Sequence, residues 1–122
     1  MIRGIGVDTV DIERFARHLE SAPALRARLF APAERSLAVP SLAARFAAKE
    51  ALVKALRGSG SLGWQDLVIE RDADRAPAFA ATPGLEQGLQ ALGIARVHLS
   101  MTHDGGFATA FVVVEAREEG IV

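Results

Sequence analysis

Along residues 45–57, Ala48, Leu52, Ala55 and Leu56 gather on one side of an ideal helical wheel. Glu50, Lys54 and Arg57 gather on the other side, with Phe46 and Val53 at their flank, so the pattern predicts an amphipathic helix. Upstream, residues 1–7 set Ile2, Ile5 and Val7 among Gly4 and Gly6, the mark of a short buried strand whose glycines allow close backbone approach. Asp8 falls at the end of that strand. Thr9 or Asp11 then caps a helix running to about residue 20, with Ile12, Phe15, Ala16 and Leu19 as its buried stripe. Arg14, Arg17 and His18 lie off the stripe. Pro23 opens a second short helical segment in which Leu25, Leu29 and Phe30 are apolar and Arg26 and Arg28 polar. Pro32 and Pro40 divide residues 31–41 into turns, with a helical turn at 33–37. The central helix stops near Gly58, and residues 58–63 form a glycine- and serine-rich loop.

The second half reads as strands around one helix. Residues 67–71 and 77–81, joined by a turn at 72–76, form a candidate hairpin, with Pro77 at an edge position. A helix follows at 84–92, then a strand at 96–101, a tight turn at 103–106, and the longest strand at 107–115. This last strand is apolar on both faces and needs cover on both sides. In so small a domain a subunit interface is the expected cover for one of them. The order of elements is that of an α+β fold with a mainly antiparallel sheet and a long central helix.

Length and composition narrow the class without naming a function. The 122 residues suit a single domain, 1–122, and half of them are hydrophobic. The net charge of −1 gives no global basic field for nucleic acid. The chain has no cysteine, which removes disulfides, thiolate metal sites and a thiol nucleophile. No apolar run approaches the ~20 residues of a membrane span. Acidic residues interrupt the N-terminus by position 8, unlike a signal peptide. A cytoplasmic protein with no membrane or nucleic-acid partner is the expectation.

Three stretches carry candidate chemistry. Asp8 ends the first strand, where it is either a helix cap or a ligand. Glu50 and Lys54 share a helical face. A carboxylate and an ammonium four apart form either a surface pair, worth about 0.2–0.5 kcal/mol, or half of a site holding a metal and a phosphate. The stretch alone does not decide between them. Residues 100–104, Ser-Met-Thr-His-Asp, form a polar turn between two hydrophobic strands, a common location for chemistry on a rigid scaffold.

Together these stretches resemble the holo-acyl-carrier-protein synthases, the small bacterial 4′-phosphopantetheinyl transferases. The family's I-G-x-D-x-V-x-I-x-R appears as residues 5–14, from Ile5 through Asp8 to Arg14. Its R-F-A-x-K-E-A-x-x-K-A appears as residues 45–55, with Arg45, Glu50 and Lys54 in place. Its S-x-x-H before an alanine-rich strand appears as Ser100 to His103. The three occur in the family's order and spacing over essentially the whole chain. Two positions depart from it. An A-L-G-T-G after the central helix is here Ala55-Leu56-Arg57-Gly58-Ser59-Gly60, and the G-R-P hairpin turn is reduced to Asp74-Arg75-Ala76-Pro77.

The resemblance implies transfer of phosphopantetheine from coenzyme A to a serine of apo acyl carrier protein, releasing adenosine 3′,5′-bisphosphate. Such a transfer is mostly positioning and charge neutralisation. The implied metal ligands are Asp8 and Glu50, hard oxygen donors suited to Mg²⁺. Lys54 is the implied phosphate partner, and His103 a contact to phosphate or adenosine. Asp104 orients His103 or helps a base, or is an ordinary turn residue. The general base is assigned to Glu50, acting through a metal-bound water. Arg45, Gly58 and Ser100 are further expected coenzyme A contacts. An ideal wheel puts Arg45 opposite Glu50, so it lies either in a frayed first turn or at a site shared with another subunit. The family implies the second: a homotrimer with active sites at subunit interfaces. Its carrier proteins are acidic, which makes Arg14, Arg17, Arg26 and Arg28 the docking candidates, with Phe15, Leu29 or Phe30 as an apolar anchor. A coenzyme A sensor without turnover and a trimeric assembly module with a merely solvated helix face are the competing readings. Intact Asp8, Glu50, Lys54 and His103 argue against the sensor.

Overall fold

The computed structural model describes residues 1–118. Five strands and four helices follow in the order β1 (Ile2–Asp11), α1 (Ile12–Ser21), α2 (Leu25–Leu29), α3 (Val39–Leu56), β2 (Ile69–Arg71), β3 (Pro77–Phe79), α4 (Pro83–Ala91), β4 (Ile94–Asp104) and β5 (Phe107–Ala116). A short 3₁₀ turn at Trp64–Asp66, which the sequence pattern does not signal, precedes β2. The main sheet is antiparallel with order β1-β5-β4, and β2 pairs with β3 as a separate antiparallel hairpin. This is the expected α+β arrangement. Among the described residues no helix is long and apolar enough to cross a membrane.

Helix α3 lies along the inner face of β1 and β5. Ala47, Ala48, Ala51, Leu52 and Ala55 bury against Ala110, Val112 and Val114, with Leu85 and Ile94 closing the same cluster. A second cluster joins Phe15 and Leu19 of α1 to Leu29, Phe30, Leu42, Ala43 and Ala108. Gly4 and Gly6 let β1 approach α3 backbone to backbone: a Cβ on Gly6 would stand 1.9 Å from the Ala51 carbonyl oxygen.

Several boundaries differ from the sequence reading. β1 continues four residues past Val7, because pairing with β5 runs on to Asp11 opposite Phe107. Asp8 therefore sits within the strand, not at its end, and the helix cap is Asp11, whose carboxylate accepts from the Arg14 amide at 3.0 Å. α3 begins six residues before Arg45, with Pro40 in its first turn. A proline there costs nothing, since no helical partner awaits its missing N–H. The helix is also not simply amphipathic. Two cores flank it, so Arg45 and Lys49 are buried along with its alanines. It ends at Arg57 in the left-handed region, φ 60°, one residue before Gly58. β4 runs on through His103 and Asp104, leaving only Gly105 and Gly106 as the turn, and with 11 residues it exceeds β5 with 10.

The inner face of β5 is buried, as expected. Its outer face has no cover among the described residues. There Phe107 and Phe111 are exposed, beside Ile5 and Val7 of β1, with exposures of 45–59%.

Candidate active site

The register of β1 puts Asp8 on the inner face of the sheet, turned toward α3. Lys54, one turn beyond Glu50, does not pair with Glu50. Its Nζ donates instead to Asp8 Oδ1 at 2.9 Å and to the Val7 carbonyl at 3.1 Å. The i,i+4 surface pair is thus replaced by a link between helix and strand. Glu50 is half-buried, and burial raises its carboxyl above the ordinary value. The charge of Asp8 raises it further, and Lys54 opposes both. Two carboxylates and one ammonium share the site, so negative charge is in excess.

Glu50 stands where two clefts meet. The larger, about 480 Å³, runs from Asp8 and Asp11 past Arg14, His18 and Phe46. The smaller, about 250 Å³, is walled by Val53, Ser59, Leu62, Trp64 and Leu67. Phe46 and Trp64 stand between them, ring centroids 5.6 Å apart, and Phe15 stacks on Phe46 at 5.3 Å.

The donor chemistry fits a hard divalent cation. Asp8 and Glu50 offer carboxylate oxygens, and the Glu50 carboxyl is raised first by burial and then by the charge of Asp8, which a bound cation would offset. Among the described residues no cluster of three or more candidate ligands occurs. Any such ion would complete its shell with substrate oxygens and water, the usual habit of Mg²⁺.

Other expected site residues lie elsewhere. His103 shares the inner face of the sheet but sits opposite Ala108, which in turn sits opposite Val10. It is therefore two strands from β1, roughly 10 Å at normal strand spacing. Ser100 and Asp104 take the opposite, outer face. Gly58 lies just past the end of α3, next to Ser59 of the smaller cleft.

Arg45 is neither frayed nor near Glu50. It is buried, its Nε 3.8 Å from Glu34 Oε2 and itself unbonded, while another guanidinium nitrogen donates to the Ser41 carbonyl at 3.5 Å. Glu34 and Lys49, which the sequence reading does not single out, form a buried ion pair at 2.8 Å. Burial pushes the Lys49 ammonium down, and its bond to Glu34 opposes that. A signal exists in the sequence: a lysine directly beside Ala48 and one turn before Leu52, on the apolar side of the wheel.

Of the four arginines, Arg14 lines the larger cleft and Arg28 is exposed. Arg17 pairs with Glu13 at 3.4 Å. Arg26 is turned inward, donating to the Arg35 carbonyl at 2.9 Å, and so is not a free surface cation. Phe15, Leu29 and Phe30 are 5%, 5% and 0% exposed, which removes them as surface anchors: they fill the core between α1, α2 and α3.

Comparison with known proteins identifies the family. Residues 4–112 match the family described as the 4′-phosphopantetheinyl transferase superfamily. A holo-[acyl-carrier-protein] synthase of Clavibacter sepedonicus is 60% identical over 117 residues, covering 96% of this chain and 98% of its own length. The crystal structure of holo-[acyl-carrier-protein] synthase from Neisseria meningitidis superposes with a TM-score of 0.87 at 37% identity, covering 94% of this chain and 99% of that one. The Helicobacter pylori holo-[acyl-carrier-protein] synthase, solved in complex with coenzyme A, gives 0.81 at 32% identity over 91% of this chain and 99% of that one. By motif, by fold and by near full-length identity, the chain belongs to the holo-[acyl-carrier-protein] synthase family of 4′-phosphopantetheinyl transferases.

Proposed function

We propose that this protein, one domain over residues 1–122, moves 4′-phosphopantetheine from coenzyme A to a serine hydroxyl of apo acyl carrier protein and releases adenosine 3′,5′-bisphosphate. The observation that carries the reading is Glu50 in the walls of both clefts, with Asp8 in the larger one and Lys54 bonded to Asp8. A two-substrate transfer needs such a junction. The smaller cleft, walled by Val53, Leu62, Trp64 and Leu67 beside Ser59 and Glu50, suits the uncharged but amide-bearing arm of coenzyme A, and the larger cleft, with Arg14 in its wall, suits the incoming carrier. Lys54, held by Asp8, presents an ammonium to the phosphate that changes hands. Asp8 and Glu50 would hold Mg²⁺, which when bound supplies charge neutralisation at the pyrophosphate. Glu50, with its raised carboxyl, is the group placed to take the serine proton, through water. A cytoplasmic location follows from the substrates rather than from the fold.

The test is the intact mass of apo acyl carrier protein incubated with the protein, coenzyme A and Mg²⁺, beside a sample with EDTA. A gain of one phosphopantetheine, lost with EDTA, supports the reaction and its metal. No gain with coenzyme A binding retained would favour a sensor.

The reading extends to a homotrimer whose sites lie between subunits. Two features support it. Ile5, Val7, Phe107 and Phe111 form an exposed apolar face on the sheet. Ser100, His103 and Asp104 stand away from their own chain's Asp8 and Glu50, as residues serving a neighbour's site would. Arg45 and Gly58 are then contacts to coenzyme A phosphates or adenosine only if that neighbour brings the cofactor to them. Phe111→Glu is expected to shift sedimentation from trimer to monomer and to lower transfer at least tenfold, with unchanged far-ultraviolet circular dichroism. A trimer that survives the charge would sink this assignment of the face.

Docking of an acidic carrier is assigned to Arg14 and Arg17, with exposed Arg28 on α2 as a further contact and Arg26 in a lesser part, its guanidinium being engaged internally. Reversing charge at Arg14 and Arg17 together should raise KM for the carrier about tenfold or more while leaving that for coenzyme A within twofold. Equal rises would refute the docking role.

A further inference from the structure

The buried Glu34–Lys49 pair is the strongest feature that the proposed reaction leaves unused. Lys49 Nζ donates to Glu34 Oε1 and to the Leu29 carbonyl, both at 2.8 Å, and reaches the Trp64 carbonyl at 3.5 Å. It also lies 4.8 Å over the ring of Phe30. Glu34 accepts from the Ala31 amide at 3.1 Å through Oε1 and from the Ile69 amide at 3.2 Å through Oε2. Both side chains are essentially inaccessible to solvent. The pair therefore grips one segment at both ends, at Trp64 and at Ile69. Between those ends lies Leu67, and Trp64 and Leu67 are two walls of the smaller cleft.

The opposite wall is α3 itself, through Glu50 and Val53. Lys49 is the residue before Glu50, so it joins the helix that carries the reactive carboxylate to the segment that faces it. The other polar ties of this segment lead elsewhere. Gln65 donates to the Ala27 carbonyl at 2.7 Å, which fastens it to α2, and Asp66 accepts from the Gly63 amide at 2.8 Å, which closes its own turn. The polar link between α3 and the wall runs through Glu34, which Lys49 holds at 2.8 Å and Arg45 more loosely at 3.8 Å.

A buried ion pair is poor evidence for stability. An apolar pair of equal volume often does as well, while removal of one partner leaves a stranded charge. What the pair supplies here is geometry: it sets several hydrogen bonds at fixed directions, which apolar packing would not. We propose that Lys49 and Glu34 are positioning residues for the transfer, holding the Trp64–Ile69 segment at the width that admits the arm of coenzyme A beside Glu50. This rests on the reading of the smaller cleft given above.

The test uses two variants and two readouts. Lys49→Met alone strands the Glu34 charge and is expected to unfold more readily. The double variant Lys49→Met with Glu34→Gln removes both charges of the pair, keeps an acceptor for one of the two buried amides and leaves Arg45 as the remaining buried charge, so its folding is checked first by far-ultraviolet dichroism. The first readout needs no substrate. Trp64 is the chain's one tryptophan, so its emission maximum and near-ultraviolet dichroism report the wall directly. The second is steady-state kinetics against each substrate. In the double variant Trp64 emission should shift to the red, and KM for coenzyme A should rise at least fivefold, with KM for the carrier and kcat within twofold. A folded double variant with native Trp64 signals and native KM would overturn the proposal and leave the pair a plain core contact. A Trp64 shift with unchanged KM for coenzyme A would overturn the assignment of the cleft while the grip on the wall stands. A uniform fall in kcat matching the loss of folded protein would overturn the positioning role as well.

Discussion

Glu50→Gln is expected to cut phosphopantetheine transfer at least about a hundredfold, in line with loss of a positioned proton acceptor. The amide has the same shape but brings no negative charge to a cation or a proton. Among the described residues Glu50 takes part in no ion pair, since Lys54 is committed to Asp8. The substitution therefore breaks no internal link, and circular dichroism and sedimentation should be unchanged. Its effect on stability should run opposite to its effect on rate. The folded-state carboxyl is raised above the ordinary glutamate value by burial and by Asp8. A raised folded value means that the native state holds its proton more tightly than the unfolded chain. Stability from this group is thus full below about pH 4.5 and is lost as pH rises through the folded value. At neutral pH in EDTA the glutamine variant should melt no lower than the native chain, and the difference should close as the solution is acidified below the ordinary carboxylate range. Native transfer rates in Glu50→Gln would refute the role given to this residue. A variant that melted well below the native chain at pH 7 would refute the electrostatic account.

Gly6→Ala should be the most damaging single methyl group in the chain. Its Cβ would lie 1.9 Å from the Ala51 oxygen, 2.8 Å from the Ala55 nitrogen and 2.9 Å from the Ala51 carbonyl carbon. All three are backbone atoms of α3, so no side chain can turn aside. Either β1 lifts from the helix or the helix shifts from β5. Overpacking of a core typically costs about 1–3 kcal/mol, and a backbone clash belongs at the upper end or beyond. Melting should fall by a few degrees for each kcal/mol in a chain of this length. The functional loss should exceed the loss of folded protein, because Asp8 lies two residues along the same strand and faces the same way. Moving β1 outward draws Asp8 from Lys54 and Glu50 together. Transfer per folded molecule should then drop at least tenfold. Gly6→Ala with native melting and native rate would mean that the contact between β1 and α3 is looser than its geometry requires.

Much of the candidate site is legible in the sequence, for a local reason. Asp8, Glu50 and Lys54 sit in short motifs whose spacing survives folding unchanged: Glu50 and Lys54 are one helical turn apart wherever that helix lies. Their partners are not legible in the same way. Lys54 has a tempting neighbour in Glu50 at i,i+4, and only the approach of β1 reveals Asp8 as the stronger claim. Asp8 itself looks terminal because polar Asp8 and Thr9 interrupt the apolar run. An edge strand tolerates them, and pairing with β5 carries β1 to Asp11. The turn around His103 looks longer than it is for the same kind of reason, since exposed polar residues at a strand's end resemble loop until the partner strand is known.

Periodicity and order are written in the chain's own residues: an α+β chain with a long helix at its centre, a hairpin near residue 72, a capped first helix, and acidic and basic residues at spacings suited to phosphate and metal. These are properties of neighbours along the chain. Tertiary structure decided the rest. It buried α3 between two cores and so turned Lys49 inward onto Glu34, a lysine and a glutamate whose residue types belong at the surface unless paired. It buried Phe30, engaged Arg26 with the Arg35 carbonyl, and set Glu50 at the meeting of two clefts formed by segments distant in sequence. The physical reason is that burial depends on what packs across an element, and that partner comes from elsewhere in the chain, whereas periodicity is set by the element's own residues.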